Sequence, residues 1–160
     1  MATSDRKVKA GKKLHSLNAG GPKRILAATD FSSIGNRAVA YAMSLSEVLN
    51  AQVVVVHVVQ PVLQVEGLDA AALAKEGEAW AKRQVQKLGS QPAAVVITHG
   101  SPVDSILREA KKHRADLVVV GSRGLSGWKK WILGSVAQRL LQMAHCPVLV
   151  VPKQARLPKK

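Results

Sequence analysis

The chain has 160 residues, of which 47% are apolar, enough for one domain with a buried core and too many for a wholly disordered protein. A single cysteine, Cys146, excludes an intrachain disulfide and a CxxC metal or redox pair. The net charge of +14 is concentrated at the ends, since residues 1–24 carry +6, residues 153–160 carry +4 and the 128 residues between them carry +4. This distribution is compatible with non-specific attraction to nucleic acid. It indicates no nucleic-acid-binding fold, because the central part lacks a basic stripe interleaved with aromatic residues.

No segment of the sequence has the pattern of a targeting signal or a membrane span. Residues 1–21 are polar and basic and lack the apolar centre of a secretory signal. The longest apolar run, at residues 53–59, is interrupted by His57 and is too short to cross a bilayer. We therefore expect a cytoplasmic protein without membrane association.

Strand-like and helix-like segments alternate along the chain. The almost continuous run of valines at residues 52–59 is typical of a parallel strand covered on both faces, and apolar residues spaced three and four apart predict amphipathic helices. Ser101 and Pro102 mark a helix start, because serine is a preferred N-cap and proline a preferred first helical residue. In chain order we predict a strand at 24–29, a helix at 32–49, a strand at 52–59, a helix that follows Asp69 and extends to about residue 88, a strand at 93–98, a helix from 101, a strand at 116–120, a helix at 136–144 and a strand at 147–151.

This alternation predicts an α/β fold. Short connections between strands and helices favour an open five-stranded parallel sheet with helices on both faces, Rossmann-like in architecture. We predict one domain at residues 22–153, preceded by a basic, disordered tail at residues 1–21 and followed by a basic tail at residues 154–160. In such sheets ligands bind beyond the carboxyl ends of the strands, near the point where the strand order reverses. The residues that follow each strand are therefore the candidates for a site.

The segment after the fourth predicted strand, residues 121–135, is rich in glycine and in basic side chains. Glycine permits positive φ and a close approach of the backbone to a ligand. A helix that starts at Gly134-Ser135 offers unpaired N–H groups and a positive dipole end to a phosphate, and the Ser135 hydroxyl adds a donor. Neither of the standard phosphate-binding motifs, GxxxxGK[ST] and GxGxxG, is present. The same residues are therefore also compatible with a surface turn in which Ser135 only caps a helix. The cationic residues of the segment are Arg123, Lys129 and Lys130.

The spacing of these glycines resembles a family motif. The segment reads Gly121-x2-Gly124-x9-Gly134-Ser135, which matches the G-x2-G-x9-G-[ST] nucleotide-binding motif of the universal stress protein family. Residues 23–32, 115–124 and 145–152 and the pair His57-Val58 resemble the family as well. On these motifs, which extend over residues 22–153, the chain is identified as a member of the branch of this family that binds ATP.

The resemblance carries expectations about assembly and ligand. It implies the strand order 3-2-1-4-5 and a homodimer paired through the last strand. It also implies an adenine nucleotide, ATP, as the ligand of a stress-response protein whose occupied and empty states are read by partners as a switch. Mg²⁺ on the phosphates stays open, as does AMP or a cyclic nucleotide in place of ATP, because the same backbone contacts would serve them all.

The resemblance also implies a role for each matching residue. Asp30 accepts hydrogen bonds from the ribose hydroxyls, and the backbone of Val58 reads the edge of the adenine. The pocket floor and the ribose side are lined by Ala28, Thr29, Val120 and Gly121. The phosphates are held by Gly124, Gly134, Ser135 and Val136, and Arg123 adds positive charge beside them.

The residues favour binding over catalysis. Hydrolysis of ATP needs a positioned water, a base and charge stabilisation for the transferred phosphoryl group, whereas Asp30 is the one acid expected near the site. We therefore predict no catalytic residue and no metal ligand, with ATP hydrolysis at most slow. Two alternatives are a weak ATPase or autophosphorylating enzyme and a nucleic-acid-associated protein that acts through its basic tails.

The remaining residues with possible chemistry are interpreted structurally. His57 is interpreted as a packed core residue, because it ends a buried strand, and His99 as a solvent-exposed turn residue. Cys146 lies among apolar neighbours and is interpreted as an inert core thiol. Trp128 and Trp131 are expected to pack their loop onto the last helix.

Overall fold

The computed structural model of the chain describes residues 21–60, 70–87, 92–123 and 133–158. In the described part, strands and helices alternate in the order that the sequence predicts. The elements are β1 Arg24–Ala28, α1 Ser33–Leu49, β2 Gln52–Val59, α2 Ala70–Lys87, β3 Ala94–His99, α3 Pro102–Lys112, β4 Leu117–Gly121, α4 Ser135–Met143 and β5 Val148–Val151. The predictions made for Gly124, Trp128, Lys129, Lys130 and Trp131 lie outside the described residues.

The five strands form one parallel sheet. Its order is β3-β2-β1-β4-β5, which confirms the expected 3-2-1-4-5 arrangement. All four neighbouring pairs are parallel, with Ile25 of β1 opposite Val53 of β2 and Leu117 of β4. The order reverses at β1, because the chain first adds strands on one side of it and then on the other. The carboxyl ends of β1 and β4 therefore flank the point at which open α/β sheets bind ligands.

Two apolar clusters cover the two faces of the sheet, as the strand patterns predict. Alternate residues of β1 point to opposite faces, so that Ile25 and Ala27 join one cluster while Leu26 and Ala28 join the other. The first cluster packs the sheet against α1 and α2, and the second packs it against α3 and α4. Aliphatic residues fill both clusters, and Leu26, Val55, Val118 and Leu140 are among the fully buried side chains.

The predicted starts of the helices and strands lie within one residue of the observed ones, and two of them make contacts that the sequence did not predict. Ser101 is the N-cap of α3 with an extended backbone, but its side chain makes no capping hydrogen bond within the described part of the chain. The start of α3 is instead marked by Pro102, whose fixed φ suits the first helical position. β4 begins at Leu117 and not at the predicted Asp116, whose carboxylate turns back to accept from the backbone N–H groups of Lys23 at 3.1 Å and Arg24 at 3.0 Å.

The chain that follows β5 returns to α1. The guanidinium of Arg37 donates two hydrogen bonds to the carbonyl of Ala155, at 2.9 and 2.6 Å. The side chain of Ala155 also packs against the cluster on the α1 side of the sheet. Residues 152–155 close a turn through a hydrogen bond from Ala155 N–H to the Pro152 carbonyl. The predicted C-terminal tail is thus anchored at its start.

Two further observations bear on the sequence predictions. Cys146 is half-buried against the apolar cluster on the α3 and α4 side, and burial raises the pKa of its thiol. A higher pKa lowers the thiolate fraction and with it the reactivity. Over the described ranges, the helices are all too short or too polar to cross a bilayer.

Candidate functional site

A cavity of about 520 Å³ opens at the carboxyl ends of β1, β2 and β4. It is closed on its other sides by the first turns of α1, α3 and α4. The predicted site residues in the described part of the chain all line it: Ala28, Thr29, Asp30, Val58, Val120, Gly121, Arg123, Gly134, Ser135 and Val136. Gly124, the remaining predicted residue, lies outside the described residues. The fold thus brings together segments that are separated by more than a hundred positions in sequence.

Several lining residues were not predicted. Four of them form an apolar wall between β2 and the two helices on that face: Val56, Pro102, Ile106 and Ala137. Pro102 and Ile106 had a signal in the sequence, because a helix that follows β3 must start at the carboxyl edge of the sheet. The other four are Gly35, His57, Val59 and Gln60.

The two histidines at strand ends differ in their surroundings. His99 is exposed at the end of β3, as predicted. His57, predicted to be a packed core residue, is half-buried and lines the cavity. The difference arises because β2 extends beyond the end of β1, so that in the described part of the chain its last residues pair with β3 alone.

The loop between β1 and α1 holds the acidic residue of the site. Phe31 has a left-handed backbone with φ of 60°, which few side chains other than glycine adopt without cost. Its N–H donates to Thr29 Oγ1 at 2.9 Å, and the N–H of Ser32 donates to Asp30 Oδ1 at 3.0 Å. Ser32 then caps α1 by accepting from the N–H of Gly35 at 3.0 Å. These local hydrogen bonds fix the direction of the Asp30 carboxylate at the cavity wall.

An aromatic row runs from this loop to the surface of α2. The ring of Phe31 lies 4.6 Å from the imidazole of His57 and 4.9 Å from the indole of Trp80. Trp80 meets the Phe31 ring edge-on and is itself 45% exposed. The row therefore joins the cavity lining to an exposed side chain on the neighbouring helix.

The end of β2 presents backbone groups to the cavity. Neighbouring residues of a strand direct their N–H and C=O groups to opposite sides. Val56 faces β1, since its carbonyl accepts from Thr29 N–H at 3.0 Å, and Val59 faces β3, since its carbonyl accepts from Gly100 N–H at 3.1 Å. Val58 therefore faces the β1 side, where the pairing has already ended at Ala28 and Val56.

The described glycines of the motif pack closely against other parts of the chain. Gly100 is the one described glycine with positive φ, so neither Gly121 nor Gly134 uses that freedom. A Cβ on Gly121 would lie 2.9 Å from Ile34 Cγ2 and 3.1 Å from the Ile34 backbone, and a Cβ on Gly134 would lie 3.2 Å from Arg123 Cα. Both glycines therefore permit close packing of the chain against itself.

This packing changes the expected set of phosphate donors. The N–H of Gly134, an expected phosphate donor, is already hydrogen-bonded in this conformation, since it donates to the carbonyl of Ser122 at 2.8 Å. Gly134 is the N-cap of α4 and has no side chain to cap the helix. The N–H groups of Ser135, Val136 and Ala137 precede the first bond of the helix, from Gln138 to Gly134, and point to the cavity end of α4.

Charge in the cavity is sparse. Among the described residues that line it, Asp30 and Arg123 carry the formal charges. Asp30 lies at the start of α1 and Arg123 just after β4, in the segment that precedes α4.

Comparisons with known proteins identify relatives. The model of the universal stress protein family matches residues 21–152. The chain is 35% identical over 148 residues to universal stress protein MJ0531 of Methanocaldococcus jannaschii, covering 86% of this chain and 84% of that protein. It is 35% identical over 118 residues to universal stress protein YxiE of Bacillus subtilis, covering 74% of each.

A solved structure has the same fold. A universal stress protein in complex with cAMP superposes with a TM-score of 0.63 at 26% sequence identity, covering 81% of this chain and 97% of that one. The sheet order, the motif spacing and the match over residues 21–152 agree with one another. The chain belongs to the universal stress protein family.

Proposed function

We propose that the chain binds an adenine nucleotide in the cavity at the carboxyl end of the sheet, with ATP as the ligand that its motif favours. The observation that carries this proposal is the meeting of three features in one cavity: the edge of β2 at Val58 beyond the end of β1, the carboxylate of Asp30 and the start of α4. Each feature suits a different part of a nucleotide. Support also comes from the related universal stress protein that was solved in complex with cAMP.

The apolar wall suits the base. Val56, Pro102 and Ile106 form an apolar wall of the cavity, against which a purine ring can be buried with favourable transfer free energy. The N–H and C=O of Val58, adjacent donor and acceptor on an open strand edge, match the N1 acceptor and N6 donor of adenine. The edge of the adenine would then be recognised by the backbone of the strand.

Asp30 suits the ribose. A carboxylate accepts hydrogen bonds from hydroxyl groups and donates none when ionised. Asp30 lines the same cavity as the apolar wall and the start of α4, which would contact the other two parts of the nucleotide. Its direction is set by the hydrogen bond from Ser32 N–H, so the oxygen does not have to be ordered when the ligand binds.

The start of α4 suits the phosphates. The N–H groups of Ser135, Val136 and Ala137 precede the first hydrogen bond of the helix and lie at the positive end of its dipole. The exposed hydroxyl of Ser135 and the nearby guanidinium of Arg123 add a donor and a positive charge. A divalent cation, if bound, would be held through the phosphate oxygens, with Asp30 engaged at the ribose.

The finer parts of the proposal are assembly, location and signalling. We propose a cytoplasmic homodimer paired through β5, an edge strand whose Val148, Leu149 and Val150 are half-buried. Leu141 and Met143 of the adjacent α4 are about half exposed, at 52% and 50%, which gives that edge an apolar rim. Nucleotide occupancy would act as a switch that partners read.

Calorimetric titration tests the proposal. ATP, AMP and cAMP are each titrated into the wild-type chain, with and without Mg²⁺, beside the variants Asp30→Asn and Glu47→Gln. We expect saturable binding with one site per chain, weakened by Asp30→Asn and unchanged by Glu47→Gln, since Glu47 lies at the far end of α1. The absence of saturable binding of all three nucleotides up to about 1 mM, the weakest affinity of biological interest here, would overturn the proposal.

A further inference from the structure

A half-buried histidine interrupts the pairing of two strands beside the cavity. The ladder between β1 and β2 ends at Ala28 and Val56, and its last hydrogen bond runs from Thr29 N–H to the Val56 carbonyl at 3.0 Å. In a parallel ladder the next bond would run from Val58 N–H to the Thr29 carbonyl. That carbonyl is instead met by Nδ1 of His57, at 2.8 Å.

The direction of this hydrogen bond follows from its partners. A carbonyl oxygen can only accept, so Nδ1 of His57 carries the hydrogen. The ring of Phe31, 4.6 Å away and tilted by 44°, packs against the imidazole and limits its rotation. The Thr29 carbonyl is thereby hydrogen-bonded to a side chain of β2, and Val58 lines the cavity.

We propose that His57 is a positioning residue of the nucleotide site, which ends the β1–β2 ladder one bond early and so keeps the Val58 N–H available for the base. This inference rests on the proposed function, because the group it protects is the one that would contact the adenine. The same hydrogen bond holds Thr29, the residue before Asp30. His57 therefore acts on the ligand through the backbone of its neighbours.

A matched pair of substitutions isolates the donor. Asn and Leu have nearly the same size and branching. In His57→Asn the side-chain amide nitrogen can take the place of Nδ1 and donate to the Thr29 carbonyl, whereas the side chain in His57→Leu has no donor. Affinity for ATP is measured by calorimetry for the wild type and both variants. Exchange of the Val58 amide hydrogen is measured by NMR in the ligand-free proteins.

The two measurements have defined expectations. We expect His57→Leu to weaken ATP binding about tenfold, the factor that corresponds to one ordinary hydrogen bond, and His57→Asn to stay within about threefold of the wild type. In ligand-free His57→Leu the Thr29 carbonyl becomes available to Val58, so we expect the Val58 amide to exchange more slowly than in the wild type. A purely structural loss would make the same amide exchange faster.

Three results would overturn the inference. One is wild-type affinity in His57→Leu, another is equal weakening by Asn and Leu, and the third is a Val58 amide that exchanges no more slowly in the Leu variant. If His57→Leu does not fold, His57→Gln replaces it, because its amide is one methylene too far to occupy the Nδ1 position and the same expectations apply. If the wild type binds no adenine nucleotide, the proposed function fails, while slower Val58 exchange in the variant would still establish that His57 ends the ladder.

Discussion

Two aspartates at opposite ends of the sheet show how position decides the role of one residue type. Asp116, at the amino end of β4, accepts hydrogen bonds from the N–H groups of Lys23 and Arg24 and from the Arg24 guanidinium, which lies 2.8 Å from its Oδ1. Asp30, at the carboxyl end of β1, accepts from Ser32 N–H and lines a cavity of about 520 Å³.

The difference follows from the geometry of parallel sheets. At the amino end, the first residues of neighbouring strands lie side by side. A side chain from one strand can therefore hydrogen-bond to the backbone of the next, as Asp116 does with Lys23 and Arg24. At the carboxyl end the chain leaves β1 for one face and β4 for the other, which opens a space for a ligand. The amino end of the sheet is thus joined by hydrogen bonds between its own strands, and the carboxyl end is available for a ligand.

The largest expected effect concerns packing at the carboxyl end. Gly121→Ala places a Cβ 2.9 Å from Ile34 Cγ2 and close to the Ile34 backbone, so α1 must shift. We expect a loss of about 1–3 kcal/mol in the free energy of unfolding, measured by urea denaturation. Gly77→Ala is the matched control in α2, where a Cβ would meet nothing within 4 Å, and we expect it to stabilise the chain by about 0.5–1 kcal/mol. Equal stability of the two variants would contradict the packing role of Gly121.

The next effect separates the two aspartates directly. Asp30→Ala removes the acceptor expected to bind the ribose and should weaken ATP binding by about tenfold or more, the range for a hydrogen bond to a charged group. Asp116→Ala removes a carboxylate of the same type at the other end of the sheet and should leave the affinity within about twofold of the wild type. Calorimetric titration with ATP measures the affinity of both variants and of the wild type. Similar losses in both would show that the contrast between the two ends is wrong.

A smaller effect is expected at the start of α4. Ser135→Ala removes one hydroxyl donor and keeps the backbone N–H groups, so we expect ATP binding to weaken about threefold to tenfold, as for loss of one neutral hydrogen bond. Binding of adenosine, which has no phosphate, should not change. A comparison of both ligands by calorimetry checks this, and an equal loss for adenosine would place Ser135 away from the phosphates.

The smallest effect is a pH dependence at the amino end. The hydrogen bond from the Arg24 side chain, followed by those from the backbone N–H groups of Lys23 and Arg24, lowers the pKa of Asp116 below its usual value. The stabilisation by this carboxylate is therefore complete above its unfolded pKa of about 3.9 and is lost as the pH falls through the lower folded value. We expect Asp116→Asn to flatten the decline of stability below about pH 4, as followed by thermal unfolding. An unchanged decline would show that other carboxylates cause it.

Much of the fold followed from local patterns, and the exceptions were interactions between distant segments. The valines of β2 and the apolar spacing of α1 predicted their elements within one residue of the observed bounds. The role of Gly121 could not be predicted, because it depends on the approach of Ile34, which lies on an element far away in sequence. The hydrogen bond between His57 and the Thr29 carbonyl could not be predicted either, because it depends on the register between β1 and β2.

The site was predictable where a motif named its residues. The glycine spacing pointed to Gly121, Gly134 and Ser135, and all of them line the cavity. The motif did not reveal that the Gly134 N–H is already bonded to Ser122, because a spacing pattern contains no information on local hydrogen bonds. It also omitted the apolar wall from α3, where Pro102 and Ile106 belong to no motif.

The aromatic row has a consequence for spectroscopy. Trp80 lies edge-on to Phe31, and Phe31 belongs to the loop that carries Asp30. Replacing Trp128 and Trp131 by Phe would leave Trp80 as the single tryptophan of the chain. Its emission would then report the position of this loop without an attached dye, so the chain would contain its own fluorescent probe of the cavity wall.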